Sequence, residues 1–180
     1  MMRIVIALAA LSFAVSAQAA DTGGFVKGPV FAEFGSHAPV ESDMPIPPGT
    51  EFKVAFDSSV GAKDGALNKT FESVARFINM NVAAGMPRDA IHAAVVVHGT
   101  AGPDLLSNSA WSKTHGGAAN PNQPLTRALL DHGVRIILCG QSAARMGMEK
   151  GDLEPGVELA LSAMTAHALL ANEGYSENPF

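Results

Sequence analysis

The chain has 180 residues, 47% of them hydrophobic and 16% charged, and a formal net charge of −5. That length allows one domain or at most two, with enough apolar residue to build a core without staples. The acidic balance and the lack of a basic patch interleaved with aromatics argue against a nucleic-acid partner.

The first nineteen residues read as a secretory signal. Arg3 supplies a positive start, Ile4 to Val15 is an apolar run, and Ala17-Gln18-Ala19 offers small residues for cleavage after Ala19. The run is short for a membrane span. The mature chain is therefore expected in the periplasm or outside the cell, with no attachment to the membrane. Residues 20–50 carry Gly23-Gly24, Gly28-Pro29 and Pro47-Pro48 and show neither a helical nor a strand period. This extended segment either wraps the domain or a neighbouring subunit, or serves as a loose linker.

A single α/β domain is expected over residues 51–180. Phe52 to Asp57 alternates as a strand does. Leu67, Phe71, Val74, Ile78 and Val82 then share one helical face that ends at Gly85 and Pro87. Ala90 to Val97 reads as a strand buried on both faces. Residues 104–124 are loop-rich, with a short helical piece near Leu105 to Trp111. A helix from about Pro124 to His132 stops at Gly133. Val134 to Cys139 is a third strand, and Gln141 to Met148 a short helix. Val157 to Leu161 is a fourth strand, followed by a helix to Glu173 and a tail or short strand from Tyr175. Strands alternating with helices predict a three-layer, mainly parallel sheet with helices on both faces.

In such sheets sites collect at the carboxyl ends of the strands. Three ends stand out: Asp57-Ser58-Ser59, His98-Gly99-Thr100 and Cys139-Gly140-Gln141-Ser142. Cys139 is the only cysteine, so no intramolecular disulfide can form. It precedes a short helix, whose free N–H groups favour thiolate over thiol. The bland alternative is a small apolar residue packed at a strand end. His98 would lie near Cys139 if the second and third strands are neighbours, making a Cys–His pair, although a histidine there also serves as an ordinary hydrogen-bonded structural residue. No Walker or dinucleotide glycine pattern occurs, and no nucleophile elbow. Six histidines raise the question of a metal, but no metal-ligand spacing is present, and no cofactor is expected. His115 sits in a Gly-rich loop from which it could reach a site.

Several segments in order resemble the DsrE/DsrF-like family. They are Val96-Val97-His98-Gly99, Leu130 through Ala143 with its Gly133-Val134-Arg135-Ile136-Ile137-Leu138-Cys139 core, Leu153-Glu154-Pro155-Gly156-Val157, and Gly174-Tyr175. The resemblance covers about residues 51–180. It implies a flavodoxin-like domain with a mainly parallel five-stranded sheet and a homo-oligomer, often a trimer or hexamer. In sulfur-relay members a cysteine carries sulfur as a persulfide between donor and acceptor proteins, and the matching position here is Cys139. The expected activity is sulfurtransferase-like chemistry at Cys139 with His98, supported by the strand-end residues Gly99, Gly140, Gln141 and Ser142. The competing expectation is a non-enzymatic oligomeric module that binds a small molecule or a protein, with a structural cysteine. Met146, Met148 and Met164 are the expected subunit contacts.

Overall fold

The computed structural model describes residues 24–63 and 65–179, so the expected signal peptide, residues 1–19, lies outside the described residues. Five parallel strands form one sheet: β1 (Phe52–Ser58), β2 (Ile91–Val97), β3 (Arg135–Cys139), β4 (Glu158–Ala160) and β5 (Ser176–Asn178). Their spatial order is β4-β3-β2-β1-β5. The chain thus steps outward from β1 to β4, then crosses back to set β5 on the other side of β1. Every pairing is parallel, so no antiparallel edge strand joins the sheet.

Five α-helices connect the strands: α1 (Lys69–Ala83), α2 (Asn108–Thr114), α3 (Gln123–Asp131), α4 (Gly140–Met146) and α5 (Ala163–Asn172). Side chains alternate across a strand, which sorts the residues of the sheet into two cores. On one face Val54, Phe56, Val95, Val97, Ile136 and Leu138 pack with Phe71, Val74 and Ile78 of α1 and Leu125 and Leu129 of α3. On the other face Ala55, Ala94, Val96 and Ile137 pack with Ala166 and Leu170 of α5. The second face is built of small residues, so a single helix covers it. The two-sided burial of β2 explains its unbroken apolar run, Ala93 to Val97.

The differences from expectation are local. Ala90 closes a short 3-10 turn (Arg88–Ala90) instead of opening the second strand. The expected loop after β2 begins as a 3-10 helix, Gly99–Leu105, and continues into α2. Ser107 caps α2 by accepting the Ala110 N–H at 3.3 Å, which a sequence reading centred on apolar period overlooks. The segment after Glu173 forms β5, held by pairing with β1 at Val54–Phe56.

The segment before β1 is anchored on α1. Asn79 Oδ1 accepts the N–H groups of Val30 and Phe31 at 3.0 and 2.9 Å, while its Nδ2 donates to the carbonyls of Phe31, Phe34 and Gly35. Arg76 adds a bond to the Ser36 carbonyl, and Phe31 is buried in the main core. Residues 30–36 therefore lie along the domain. Met148 also packs against that core and is half-buried, whereas Met164 is open to solvent. No described helix is long and apolar enough to cross a membrane.

Candidate functional site

The strand register brings three of the singled-out residues to one place. Val97 pairs with Leu138, so His98 and Cys139 follow as adjacent positions at the ends of β2 and β3. Asp57 pairs with Val96 from the other side. Asp57 has the parity of Ala55, His98 that of Ala94 and Val96, and Cys139 that of Ile137. All three thus project from the face that α5 covers.

Cys139 is 5% exposed. It is also the N-cap residue of α4, extended at φ −66° and ψ 117°, and its side chain caps nothing. The backbone N–H groups of Gln141 and Ser142, in the first turn of α4, nevertheless favour its thiolate, as do the Ser142 hydroxyl and the Ala163 N–H that opens α5. Burial pushes the thiol pKa up, but these bonds to Ser142, Ala163 and Gln141 outweigh it and leave the thiol below its ordinary value. Two helix starts thus converge on one sulfur.

Gly99 and Gly140 make that convergence sterically feasible. A Cβ on Gly140 would stand 2.6 Å from the Ala160 carbonyl oxygen, so only glycine lets α4 start this close to β4. Gly99 has φ +56°, and a Cβ there would meet the Ser59 carbonyl at 2.6 Å. Its N–H donates to Ser142 Oγ at 3.0 Å. The Gly99 N–H thus holds the Ser142 hydroxyl, one of the groups that favour the Cys139 thiolate. Gln141 ties α4 to the chain beyond β4 by donating to the Leu161 carbonyl at 3.1 Å.

His98 takes a different partner from the one expected. Its Nε2 lies 3.0 Å from Asp57 Oδ2, and no hydrogen bond joins it to Cys139 among the described residues. The other carboxylate oxygen of Asp57 lies 2.9 Å from Nε2 of His167, on α5. Burial raises the Asp57 carboxyl, but the bonds and the charges of His167 and His98 outweigh this and hold it below the usual carboxylate range. The three side chains are partly open to solvent, at 29% for Asp57, 33% for His98 and 20% for His167. A neutral imidazole whose Nε2–H faces the carboxylate has Nδ1 left as its acceptor. Sequence reasoning placed Asp57 at a strand end but gave it no partner, and it missed His167. The available signal was the spacing of Ala163, Ala166, His167 and Leu170, which puts His167 at the margin of the sheet-facing stripe of α5.

His115 does not reach this site. Its ring stacks on Trp111 with centroids 3.6 Å apart, and its Nδ1 is held by Thr114 and the Trp111 carbonyl. Among the described residues no group of three or more His, Cys, Asp or Glu side chains is arranged to hold a metal ion. Beside His98 and α4 lies an open cleft of about 480 Å³, walled by His98, Thr100, Gln141, Ser142 and Arg145 among others.

Comparison with known proteins gives the geometry a lineage. The model of the DsrE/DsrF-like family matches residues 53–176. Among solved structures, the protein of unknown function MTH1491 from Methanobacterium thermoautotrophicum is similar. It is 18% identical with a TM-score of 0.51, and the match covers 72% of this chain and 100% of that one. At that identity the likeness speaks for the fold. No curated protein matches the chain. The family match takes in β2, β3 and β4 whole, nearly all of β1 and the starts of α4 and α5, and on it the chain belongs to the DsrE/DsrF-like family.

Proposed function

We propose that this is an exported sulfur-handling protein in which Cys139 accepts sulfane sulfur and holds it as a persulfide. The observation that carries the reading is the set of four hydrogen-bond donors around the Cys139 sulfur: three backbone N–H groups and the Ser142 hydroxyl. A neutral thiol needs no such set, whereas a thiolate or persulfide anion is stabilised by it. In the transfer, the Cys139 thiolate attacks the outer sulfur of a donor persulfide. A bond forms from Sγ to that sulfur, and the donor's own S–S bond breaks, leaving its electron pair on the donor thiolate. Cys139 being the only cysteine, no neighbouring thiol in the chain can discharge the product as a disulfide.

His98 is the acid–base partner in this scheme. Asp57 fixes its Nε2 and so leaves Nδ1 to take the proton of an arriving thiol. Export to the periplasm follows from the signal reading of residues 1–19. Homo-oligomerisation is supported by the exposed apolar side chains of Leu159, Leu161, Met164 and Leu169 along the β4 edge and α5. Light scattering of the mature protein should return a multiple of the chain mass, and a monomer mass would remove that part of the reading.

The test is intact mass spectrometry of the mature protein after polysulfide treatment. The expected result is a gain of one sulfur atom, reversed by cyanide or reductant and absent in Cys139→Ser. The burial of Cys139 favours a second reading, a binding module with a structural thiol. A native protein that gains no sulfur, and whose thiol is alkylated only after denaturation, would establish the second reading and remove the first.

A further inference from the structure

Among the described residues Arg145 is an unpaired cation, in the last turn of the short helix that starts at Cys139. Each of the other described arginines has a carbonyl or carboxylate partner: Arg76 with Ser36, Arg88 with Ile91 and His132, Arg127 with Glu154, and Arg135 with Glu158 and Glu173. Arg145, on the outer face of α4, has neither an ion pair nor a hydrogen bond among the described residues. It lines the open cleft of about 480 Å³ together with His98, Gln141 and Ser142. No carboxylate lines that cleft, although the protein as a whole is acidic, with a formal net charge of −5. Gln141 and Ser142 form its wall, and their backbone N–H groups also favour the Cys139 thiolate. Cys139 itself does not line the cleft, which opens against the turn that follows the thiol and beside His98, the adjacent strand-end position, and Arg145 gives it a positive charge.

We infer that this cleft receives a small sulfane-sulfur donor bearing an oxyanion head, of the thiosulfate or thiosulfonate class, with Arg145 gripping the head. A planar guanidinium matches the paired oxygens of such a head, and an unpaired arginine is free to turn its fork to them. The inference rests on Cys139 being the sulfur acceptor. With thiosulfate, the Cys139 thiolate attacks the outer sulfur. The new bond joins Sγ to that sulfur, the sulfur–sulfur bond of thiosulfate breaks, and sulfite leaves with the electron pair. One thiolate and one dianion give one persulfide anion and one dianion, with no oxidant or reductant required. Arg145 binds the sulfite end in both states, which makes it a specificity residue for the donor and leaves the bond-making to Cys139.

The experiment compares wild type, Arg145→Ala and Arg145→Lys with thiosulfate, with polysulfide, and with two alkylating agents of opposite character, anionic iodoacetate and neutral iodoacetamide. Wild type should gain sulfur from thiosulfate. Arg145→Ala should do so about tenfold or more slowly, the loss typical of one charge-assisted contact. Iodoacetate should slow in the same variant while iodoacetamide and polysulfide loading stay near wild type, and Arg145→Lys should fall between. Equal rates in wild type and Arg145→Ala, or equal slowing of both alkylating agents, would overturn the inference. Sulfur gain from polysulfide but none from thiosulfate would also overturn it while sparing the persulfide reading. No gain from either donor would remove both.

Discussion

Asp57 and Ser58 are consecutive in β1, and each anchors a polar cluster of a different kind. Ser58 points to the α1 face, where its hydroxyl donates to Asn68 Oδ1 at 3.3 Å. Asn68 in turn caps α1, donates to Asp104 at 2.7 Å, and has its own N–H accepted by Asn122 at 2.6 Å. Asn120 continues the network to the carbonyls of Asp104 and Leu106. Every one of these side chains is buried. Asp57 points to the α5 face, where its partners are two imidazoles that solvent can reach. The first cluster is made mainly of amides, which do not titrate, and it is closed. The second is made of groups that change charge, and it borders the cleft and the cysteine. Polar residues at strand ends are thus not evidence of chemistry in themselves. Ionisable partners and access to solvent separate the second cluster from the first.

Substitutions should separate the two clusters, and the largest effect is expected in the closed one. Asn68→Ala removes the α1 cap and leaves Ser58 and Asp104 short of partners, at a cost of about 2–4 kcal/mol. Chemical denaturation should show this as a lower midpoint at unchanged slope. A loss no larger than that of Asp57→Asn would break the comparison. Asp57→Asn itself should cost about 1 kcal/mol, since an amide accepts from one imidazole and its surroundings are half wet. Its more telling effect should be on sulfur transfer, where His98 loses the partner that sets its tautomer. The rate of polysulfide loading should fall and its pH dependence should move, whereas a purely structural Asp57 would leave the pH profile of the folded variant in place.

The two carboxylates should also answer acid with opposite sign. Asp57 is held below its usual range, so its stabilisation is complete above the unfolded value near 3.9 and is lost as pH falls through the lower folded value. Asp104 is raised by burial, which outweighs its bonds from Asn68 and Ala62. Its folded form therefore holds the proton more tightly than the unfolded chain, and stability is lost as pH rises from about 3.9 through the raised folded value. Melting temperature against pH should show a shallower acid limb in Asp57→Asn and a shallower decline above pH ~4 in Asp104→Asn. Changes of the same sign in both variants would contradict the contrast. The smallest effect is expected at the thiol. Ser142→Ala removes one hydroxyl donor from Cys139, so the midpoint of its alkylation profile should move up toward the free-thiol value of about 8.5.

The order of strands and helices was legible because period and punctuation carry it. Alternation in Phe52–Asp57, the run Ala93–Val97 and the turn at Pro155-Gly156 each reflect local physics. The same alternation, carried to the strand ends, puts Asp57, His98 and Cys139 on one face, so their gathering was within reach of the sequence. The second imidazole on Asp57 was not. Asp57 and His167 are 110 positions apart, and their meeting depends on α5 returning over the sheet after β4. The Asn68 network was illegible for a similar reason. Asn68, Asp104, Asn120 and Asn122 look like ordinary turn residues until the loop after β2 folds back onto the start of α1.

Asn79 makes one stretch of the molecule dependent on another. One amide side chain satisfies five backbone groups of residues 30–35, a stretch with no helix or sheet ladder of its own. Those backbone groups close on a side chain that α1 presents, so the stretch depends on that helix for its conformation. The amide protons of Val30 and Phe31 should exchange through a local opening that spares the sheet.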